Sequence, residues 1–344
     1  MEIDSYTVPS RSSVRKAGKT LVSPTDTDEK ATALRVLSSW RTAHAVPINT
    51  LQAFLRKKVK DLHFSSPIVA QRLKRTPSII SKLERFPSMD LDRMQDIGGI
   101  RVVVNSIHDI NRLYSELNSS KFKHQLVLPP NDYIKEPKPD GYRSLHQVVK
   151  YRNVKHPKFN DLRIELQIRT KLQHSWATAV ETLGMLEKCS LKSGEGDEKI
   201  KKFFKIASAL FSIQEESPVI DEFKGNSKSE LIFKFKELED ELSVLRKLEG
   251  IAVSTRHIQT TNPNFLGYHV IQLFANQGKV RLTAFDDPSD AESFYYAKEL
   301  ETRNNLDTAV VLMSAGTLKD IKRAYPNYFL DTKDFLKNIK NITN

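Results

Sequence analysis

The segment Arg163-Ile164-Glu165-Leu166-Gln167-Ile168-Arg169 alternates polar and apolar residues without a break. Neighbouring side chains of a β-strand point to opposite faces of the sheet, so Glu165 and the other polar residues share one face. A face this rich in charges suits a bound ligand. It is also typical of an antiparallel strand with one side in water, and the segment alone leaves both interpretations open.

A second carboxylate, Asp96, precedes an apolar strand predicted at Ile100–Val104, with Gly98 and Gly99 between them. Glycines allow another backbone to approach closely. An aspartate at such a strand edge suits Mg²⁺, which prefers one or two carboxylates together with substrate phosphates. A turn closed by a hydrogen bond from the aspartate side chain is the structural alternative.

Cations surround a predicted helix start upstream of Asp96. Pro77 and Ser78 are typical of the first turn of a helix, which we predict over Ile79–Arg85. Helix N-termini and basic side chains both bind phosphate groups, although a solvated basic surface gives the same pattern. The cations are Arg72, Lys74, Arg75 and Lys82.

A loop before the next predicted strand places an aromatic ring among cations. Tyr142 lies near Lys135, Lys138 and Arg143, and His146 follows in the strand. An aromatic ring among cations can stack on a base and hold its phosphates. Tyr142 could equally be a half-buried core residue.

Hydrophobic spacing outlines the elements that must hold these residues. Further strands are predicted at Leu145–Tyr151 and Arg163–Ile168, and amphipathic helices at Leu51–Leu62 and Leu172–Leu183. About the first 30 residues are polar and aperiodic, which predicts a loose tail.

The pattern changes after residue 226. Leucines spaced among charges over residues 227–249 predict a linker helix. Two strands around the turn Asn276-Gln277-Gly278, a helix over Asp290–Arg303 and a strand Thr308–Met313 then predict a small, separate α+β module. The predicted parts are a polar tail and entry helix (1–44), a main domain (45–226), the linker helix (227–249) and the C-terminal module (250–344).

Composition limits the possible partners. The 344 residues are 39% hydrophobic and 28% charged, as in a folded protein, and the formal net charge of +12 favours polyanions such as nucleotides or RNA. The single cysteine excludes an internal disulfide and a cysteine-based zinc cage. No run approaches the roughly 18 apolar residues of a membrane span, so we predict a cytoplasmic protein without a membrane partner.

Taken together, these segments resemble the synthetase domain of the RelA/SpoT family, from about Ser65 to Gln214 and in the same order. Six pieces in order are a specific signal, whereas one would be weak. They are Arg72-Leu73-Lys74 with Ser78-Ile79 and Lys82-Leu83; Asp96-Ile97-Gly98-Gly99-Ile100-Arg101; Asp132-Tyr133 with Pro137-Lys138; Gly141-Tyr142-Arg143-Ser144-Leu145-His146; Glu165-Leu166-Gln167-Ile168-Arg169-Thr170; and His174-Ser175-Trp176-Ala177.

The resemblance implies an α/β (α+β) fold, with a mixed β-sheet flanked by helices in a nucleotidyltransferase-like synthetase domain. It implies that Asp96 and Glu165 are catalytic and approach a Mg²⁺ ion bridging the phosphates of ATP, and that Glu165 also deprotonates the attacking 3′-hydroxyl. The residues expected to bind ATP are Arg72, Lys74, Arg75, Ser78, Lys82 and Arg101. The residues expected to bind the acceptor are Lys138, Tyr142, His146, Gln167 and Arg169.

Two departures from the family pattern concern the acceptor. After Trp176-Ala177 the alarmone synthetases usually continue with a Glu-His and then a Tyr-Lys pair, where this chain has Val180-Glu181 and Met185-Leu186. Asp140 precedes Gly141, where the family often has asparagine. Because a carboxylate repels 5′-phosphates, these departures favour an acceptor without a 5′-polyphosphate, such as the tRNA 3′ end that some toxin-like relatives modify.

The leading hypothesis is an ATP-dependent 3′-pyrophosphokinase that transfers pyrophosphate to GDP or GTP, makes the alarmone (p)ppGpp and releases AMP. Pyrophosphorylation of tRNA is the alternative within the same chemistry. A catalytically silent nucleotide- or RNA-binding regulator is the alternative of another class, disfavoured because both carboxylates are retained. Since the sequence contains no opposing hydrolase domain, we expect residues 250–344 to regulate the site, directly or through a protein partner.

Overall fold

The computed structural model describes residues 6–24, 26–119, 122–186, 198–242, 244–245, 248, 268–274, 279–302, 308–314 and 333–344. By the contacts among their residues they form two compact units. Unit 1 comprises Met1–Asn131 and Leu145–Ile168, and unit 2 comprises Asp132–Ser144 and Arg169–Asn344. The predicted main domain, residues 45–226, contributes to both units, and the predicted domain boundaries stay predictions.

Unit 1 is built on a five-stranded mixed sheet in the order β1-β2-β5-β4-β3. β1 pairs antiparallel with β2, and β4 pairs antiparallel with β5. The sheet confirms the predicted fold class and the three predicted strands, which correspond to β2, β4 and β5. The strands are β1 (Ile68–Leu73), β2 (Gly98–Val104), β3 (Gln125–Asp132), β4 (Leu145–Lys150) and β5 (Arg163–Thr170).

Strand β3 was not predicted. It contains Pro129 and Pro130, which cannot donate hydrogen bonds to a neighbouring strand and so conceal the pattern. A strand with prolines is tolerated at the edge of a sheet, and β3 occupies that edge position.

The α-helices in the described part of unit 1 are α1 (Arg11–Val22), α2 (Thr27–Ala43), α3 (Ala45–Asp61), α4 (Thr76–Arg85) and α5 (Ile107–Leu117). Helix α3 confirms the predicted amphipathic helix, but it starts earlier and includes Pro47 in its first turn. Helix α4 also starts earlier than predicted. Arg75 is its N-cap without a side-chain hydrogen bond, and Pro77 and Ser78 lie in its first turn, as predicted.

The prediction of a loose N-terminal tail is also wrong. Ser10 caps α1 by accepting a hydrogen bond from the backbone of Ser13, and Val14 and Leu21 are fully or nearly fully buried. The guanidinium of Arg15 forms an ion pair with the Asp92 carboxylate, with nitrogen and oxygen 3.1 Å apart. The apolar positions recur at helical spacing, but the serines and cations between them hide this pattern in the sequence.

Unit 2 contains a helical core of α6 (Lys171–Leu186), α7 (Glu198–Gln214) and α8 (Lys228–Leu242). Helix α6 confirms the predicted helix Leu172–Leu183, and α8 confirms the first part of the predicted linker helix. Trp176, Phe203, Phe211 and Phe235 are buried together in this core.

The C-terminal segment also contains β6 (Tyr268–Phe274), β7 (Lys279–Phe285), α9 (Pro288–Glu301) and β8 (Thr308–Ser314), which confirm the predicted strands and helix. The three strands form an antiparallel sheet in the order β7-β6-β8. The turn Asn276-Gln277-Gly278 lies outside the described residues.

The final helix is α10 (Lys333–Thr343), at the end of the segment predicted as a C-terminal module. Its Phe335 is fully buried, with ring centroids 5.9 Å from Phe204 and 5.8 Å from Phe211 of α7. The last helix is therefore part of the helical core. Every helix in the described residues is too short or too polar to serve as a membrane span.

Candidate active site

Two adjacent glycines show which side chains share a face of the unit 1 sheet. A Cβ atom at Gly98 would lie 2.7 Å from Ile164 Cδ1, so glycine is required there by close packing on the apolar face. Gly99 points to the opposite face, where a Cβ atom would meet the Arg72 side chain at 3.9 Å and the Glu165 carbonyl oxygen at 3.7 Å. The predicted close approach is confirmed at Gly98, whereas Gly99 has ordinary contact distances.

The strand register shows which other side chains lie on the sheet face shared by Arg72 and Glu165. Arg101 pairs with Ala70, two residues before Arg72 on β1, and His146 pairs with Gln167, two residues after Glu165 on β5. Residues two apart on a strand share a face. One face of the sheet therefore carries five of the predicted site residues: Arg72, Arg101, His146, Glu165 and Gln167.

The Glu165 carboxylate is held by its neighbours on this face. His146 Nδ1 donates to one oxygen at 3.1 Å, and the Gln167 amide donates to the other at 2.7 Å. Burial alone would raise the pKa of Glu165, but the hydrogen bond and charge of His146, the amide of Gln167 and the charge of Arg72 lower it to about 2. Glu165 is thus ionised at neutral pH. The structure places His146 and Gln167 as partners of this carboxylate.

A second charged cluster surrounds Asp96. Lys74 Nζ and Lys82 Nζ lie 2.8 Å and 2.9 Å from the two oxygens of the Asp96 carboxylate. Burial raises the pKa of Asp96, but the two lysines outweigh it and the pKa is lowered. Because two ammonium groups meet one carboxylate, the cluster has an excess of positive charge.

Arg72 links the Asp96 cluster to Glu165 electrostatically. The pKa of Lys74 is lowered, mainly by burial, partly offset by Asp96, with Arg72 and Lys82 lowering it further. The same Arg72 charge contributes to the low pKa of Glu165. Since such effects weaken with distance, the structure brings both predicted catalytic carboxylates into the neighbourhood of one guanidinium group.

Helix α2 supplies a residue that sequence reasoning missed. Arg41 donates through Nε to the Lys74 carbonyl at 2.8 Å and through Nη1 to Thr76 Oγ1 at 3.1 Å. It therefore fixes the turn between β1 and α4, where Arg75 and Ser78 lie at the helix N-terminus. Arg41 was overlooked because residues 1–44 were assigned to the tail and entry helix, and no local motif marks a partner in another element.

In unit 2, three of the predicted acceptor residues, Lys138, Tyr142 and Arg169, belong to an aromatic and cationic cluster. Lys138 Nζ lies 4.4 Å from the ring centroid of Tyr133 and 5.3 Å from that of Tyr142. Arg169 donates to the Tyr142 hydroxyl, and its guanidinium lies 5.0 Å from the ring centroid. Tyr142 is only 9% exposed, so it is a core residue whose ring also contacts two cations, and stacking on a base stays a prediction.

The carboxylates suit Mg²⁺ only in combination with a substrate. No group of three or more His, Cys, Asp and Glu side chains suited to a metal occurs in the part of the chain that the structure describes. Asp96 and Glu165 have lowered pKa values, so both present ionised oxygens. Two carboxylates completed by phosphate oxygens match the preference of Mg²⁺, and the residues present fit the ion on those terms.

Comparison with known proteins identifies the region that contains this site. Residues 71–184 match the family model described as "Region found in RelA / SpoT proteins". The chain is 32% identical over 168 residues to GTP pyrophosphokinase YjbM of Bacillus subtilis, covering 48% of this chain and 75% of that protein. It is 30% identical over 139 residues to GTP pyrophosphokinase YwaC of the same organism, covering 38% of this chain and 65% of the relative.

The chain is also similar to a solved structure. The small alarmone synthetase 1 from Bacillus subtilis, bound to its product pppGpp, aligns with 29% identity and a TM-score of 0.44, covering 53% of this chain and 94% of that one. The matched residues 71–184 contain both candidate carboxylates and all six sequence pieces of the resemblance. From the family match and the similarity to YjbM, the chain belongs to the RelA/SpoT family.

Proposed function

We propose that this chain is a pyrophosphokinase that transfers a pyrophosphoryl group from ATP to the 3′-hydroxyl of GDP or GTP, forming (p)ppGpp and AMP. The observation that carries the proposal is the sheet face on which ionised Glu165 lies beside Arg72, with Asp96 and its lysines in the same electrostatic neighbourhood. The names of YjbM and YwaC as GTP pyrophosphokinases support the choice of acceptor.

The positive charge around Asp96 suits the phosphates of ATP. Lys74 and Lys82 each contact one Asp96 oxygen, so an arriving triphosphate can take over ammonium contacts that the carboxylate now makes. Phosphoryl transfer needs little covalent chemistry from a protein, and catalysis depends on positioning and on cations that stabilise charge. We assign Arg72, Lys74, Lys82 and Arg101 to the phosphates, Ser78 to the same end of ATP, and Arg75 to its adenine.

The reaction has one bond made and one broken. The acceptor 3′-oxygen bonds to the β-phosphorus of ATP, while the bond from that phosphorus to the oxygen shared with the α-phosphate breaks. AMP leaves with that oxygen and its electron pair, and the hydroxyl proton passes to Glu165. A Mg²⁺ ion held by Asp96 and Glu165 would neutralise phosphate charge and make the hydroxyl more acidic, which a base with a pKa of about 2 requires.

We assign the aromatic and cationic cluster of unit 2 to the acceptor. Tyr142 presents little free surface, so stacking of a base on its ring requires Lys138 or Arg169 to move, and either cation can then meet the acceptor phosphates. The departure at Asp140 is compatible with this role. Its side-chain oxygen accepts a hydrogen bond from the Tyr142 backbone N–H at 2.9 Å, which an asparagine oxygen could equally do.

Transfer to the tRNA 3′ end is the second candidate. It is favoured by Glu181 on α6, where a cation is expected next to acceptor phosphates, and by the formal charge of +12. The side chains of Met185 and Leu186, the other departure, lie outside the described residues. Regulation through residues 250–344 and a cytoplasmic location stay predictions.

The test is incubation of the purified chain with γ-labelled ATP and, in separate reactions, GDP, GTP and bulk tRNA. Label on GDP or GTP supports the primary proposal, and label on tRNA alone replaces it with the second. Wild-type protein that binds ATP but labels no acceptor would favour the silent regulator. The Glu165→Gln variant is the negative control in every reaction.

A further inference from the structure

The loop 132–144, which carries Lys138 and Tyr142, is fixed against helix α7. Ser208 Oγ of α7 donates to the Gly141 carbonyl at 2.6 Å. Gly141 has a φ of +90°, and a Cβ atom there would lie 3.0 Å from Ser208 Cβ and 3.2 Å from the Trp176 ring. Only glycine fits this position, so the residue before Tyr142 is held in one conformation by its contact with α7.

A buried carboxylate at the end of the same helix holds the residue after Tyr142. Arg143 Nη1 donates to Glu215 Oε2 at 2.8 Å, and the exposed side-chain fractions of the two residues are 2% and 8%. Glu215 also accepts from Gln173 Nε2 at 3.2 Å and, through its other oxygen, from the Thr170 hydroxyl. Both oxygens of Glu215 are therefore committed to fixed partners.

Two partners of Glu215, Arg143 and Thr170, are chain neighbours of the acceptor cluster. Arg143 follows Tyr142 directly, and Thr170 follows Arg169, which donates to the Tyr142 hydroxyl and lies over its ring. Glu215 thus joins the two segments that present Tyr142 and Arg169. A buried ion pair contributes no more stability than apolar residues of the same volume, so what this pair offers is a fixed geometry.

We propose that Glu215, assisted by Ser208, is a positioning residue for the acceptor nucleotide. It sets the placement of Tyr142 relative to Arg169 without contacting either substrate itself. This inference rests on the proposed function and assigns a role to α7, which lies outside the matched family region of residues 71–184.

The direct test compares Glu215→Gln with a matched control, Glu222→Gln. Glu222 also pairs with a cation, Lys205, at 2.8 Å, but its side chain is 44% exposed. We expect Glu215→Gln to raise the KM for GDP about tenfold or more, as for a misplaced binding group, with the KM for ATP within about twofold of wild type. Glu222→Gln should change neither KM. An equal rise in both KM values for Glu215→Gln would overturn the proposal.

Two further measurements keep the proposal testable if Glu215→Gln folds poorly or if no transfer is seen. Ser208→Ala removes one hydroxyl from α7 and should also raise the KM for GDP, by about two- to fivefold.

Hydrogen exchange of the loop 132–144 can be measured whether or not the protein is enzymatically active. It should accelerate about tenfold or more in Glu215→Gln and not in Glu222→Gln, if loss of the ion pair loosens the loop. Unchanged exchange in the loop would show that Glu215 does not hold it, whether or not the chain proves to be a pyrophosphokinase.

Discussion

Each unit contains a carboxylate paired with cations, and the nitrogen–oxygen distances in the two clusters are nearly the same. The clusters differ in the balance of positive and negative charge and in exposure to water. In unit 1, Asp96 is shared by two lysines, and the Lys82 side chain is 29% exposed. In unit 2, Glu215 meets Arg143, whose side chain is 2% exposed. Excess positive charge that is accessible to solvent suits a site that binds phosphates. A buried ion pair with equal and opposite charges suits a structural role in holding other residues in place.

The comparison gives different expectations for the same kind of mutation. Removing a charge from the unit 1 cluster should change the reaction and leave folding largely intact. Removing a charge from the unit 2 pair should change folding or loop geometry first, because a buried charge without a partner is costly.

The largest expected effect is on turnover in the Glu165→Gln variant. Removing the ionised carboxylate should lower kcat by about 10²- to 10⁴-fold, the usual contribution of a group that takes a proton in the transition state. The unfolding midpoint in urea should remain close to that of wild type. If the variant retained more than about half of the wild-type kcat, Glu165 would not be the group that accepts the proton.

The next largest expected effect is the difference in lost stability between two substitutions that each remove one cation. Arg143→Met leaves Glu215 buried without its counter-charge and should destabilise unit 2 by about 3–5 kcal/mol. Lys82→Met leaves Asp96 with Lys74 and with water, and should cost about 1 kcal/mol or less in unit 1.

Tryptophan fluorescence separates the two units in urea unfolding, because Trp176 lies in unit 2 and Trp40 in unit 1. Each variant is measured in a background where the other tryptophan is phenylalanine. Similar losses of stability for the two cations would contradict the proposed difference between the clusters.

A pH-dependent loss of stability is expected in unit 1. His44 is buried and donates from Nδ1 to the Trp40 carbonyl, and burial lowers its pKa from 6.5 to about 4 despite that hydrogen bond. Between these values the unfolded chain binds a proton that the folded unit excludes. Stability is therefore present above pH 6.5 and is lost as the pH falls to about 4, by up to about 3 kcal/mol.

The check is urea unfolding of wild type and His44→Phe at several pH values, followed by Trp40 fluorescence. Other acidic groups titrate in both proteins, so the difference between them isolates His44. A difference in unfolding free energy that stays constant from pH 7 to pH 4 would show that His44 does not titrate as its burial requires.

The smallest expected effect is the difference in stability between alanine substitutions at two glycines of unit 2. Gly141 and Gly225 have φ values of +90° and +92°, so alanine strains the backbone at both. Among the residues that the structure describes, and apart from the chain neighbours, no atom lies within 4 Å of a Cβ atom added at Gly225, whereas Gly141 is crowded by Ser208 and Trp176. Gly141→Ala should therefore cost about 1 kcal/mol more in urea unfolding, and it alone should raise the KM for GDP. Equal effects would mean that the loop does not depend on its contact with α7.

Local patterns in the sequence were sufficient to predict the polar face of the sheet. Alternation along β5 placed Glu165 and Gln167 on the same side, and the two glycines that begin β2 indicated the close approach that Gly98 makes with Ile164. Such patterns work because the period of a strand is fixed by backbone geometry.

The residues that hold the site residues in place could not be predicted from local sequence patterns. Arg41 bonds to a residue 33 positions away, and Glu215 pairs with Arg143 over 72 positions. Neither contact leaves a periodic pattern or a motif around either residue. Helix α1 was missed because its short apolar stripe, with Val14 and Leu21, is interrupted by serines and cations.

The central claim is that the unit 1 face transfers a pyrophosphoryl group rather than a single phosphate. The most direct measurement is the adenine nucleotide released when the chain turns over ATP with GDP or GTP. We expect one AMP for each pyrophosphorylated guanine nucleotide, and AMP release at least about 10²-fold slower from Glu165→Gln. Release of ADP, or AMP formed equally well by Glu165→Gln, would contradict the account.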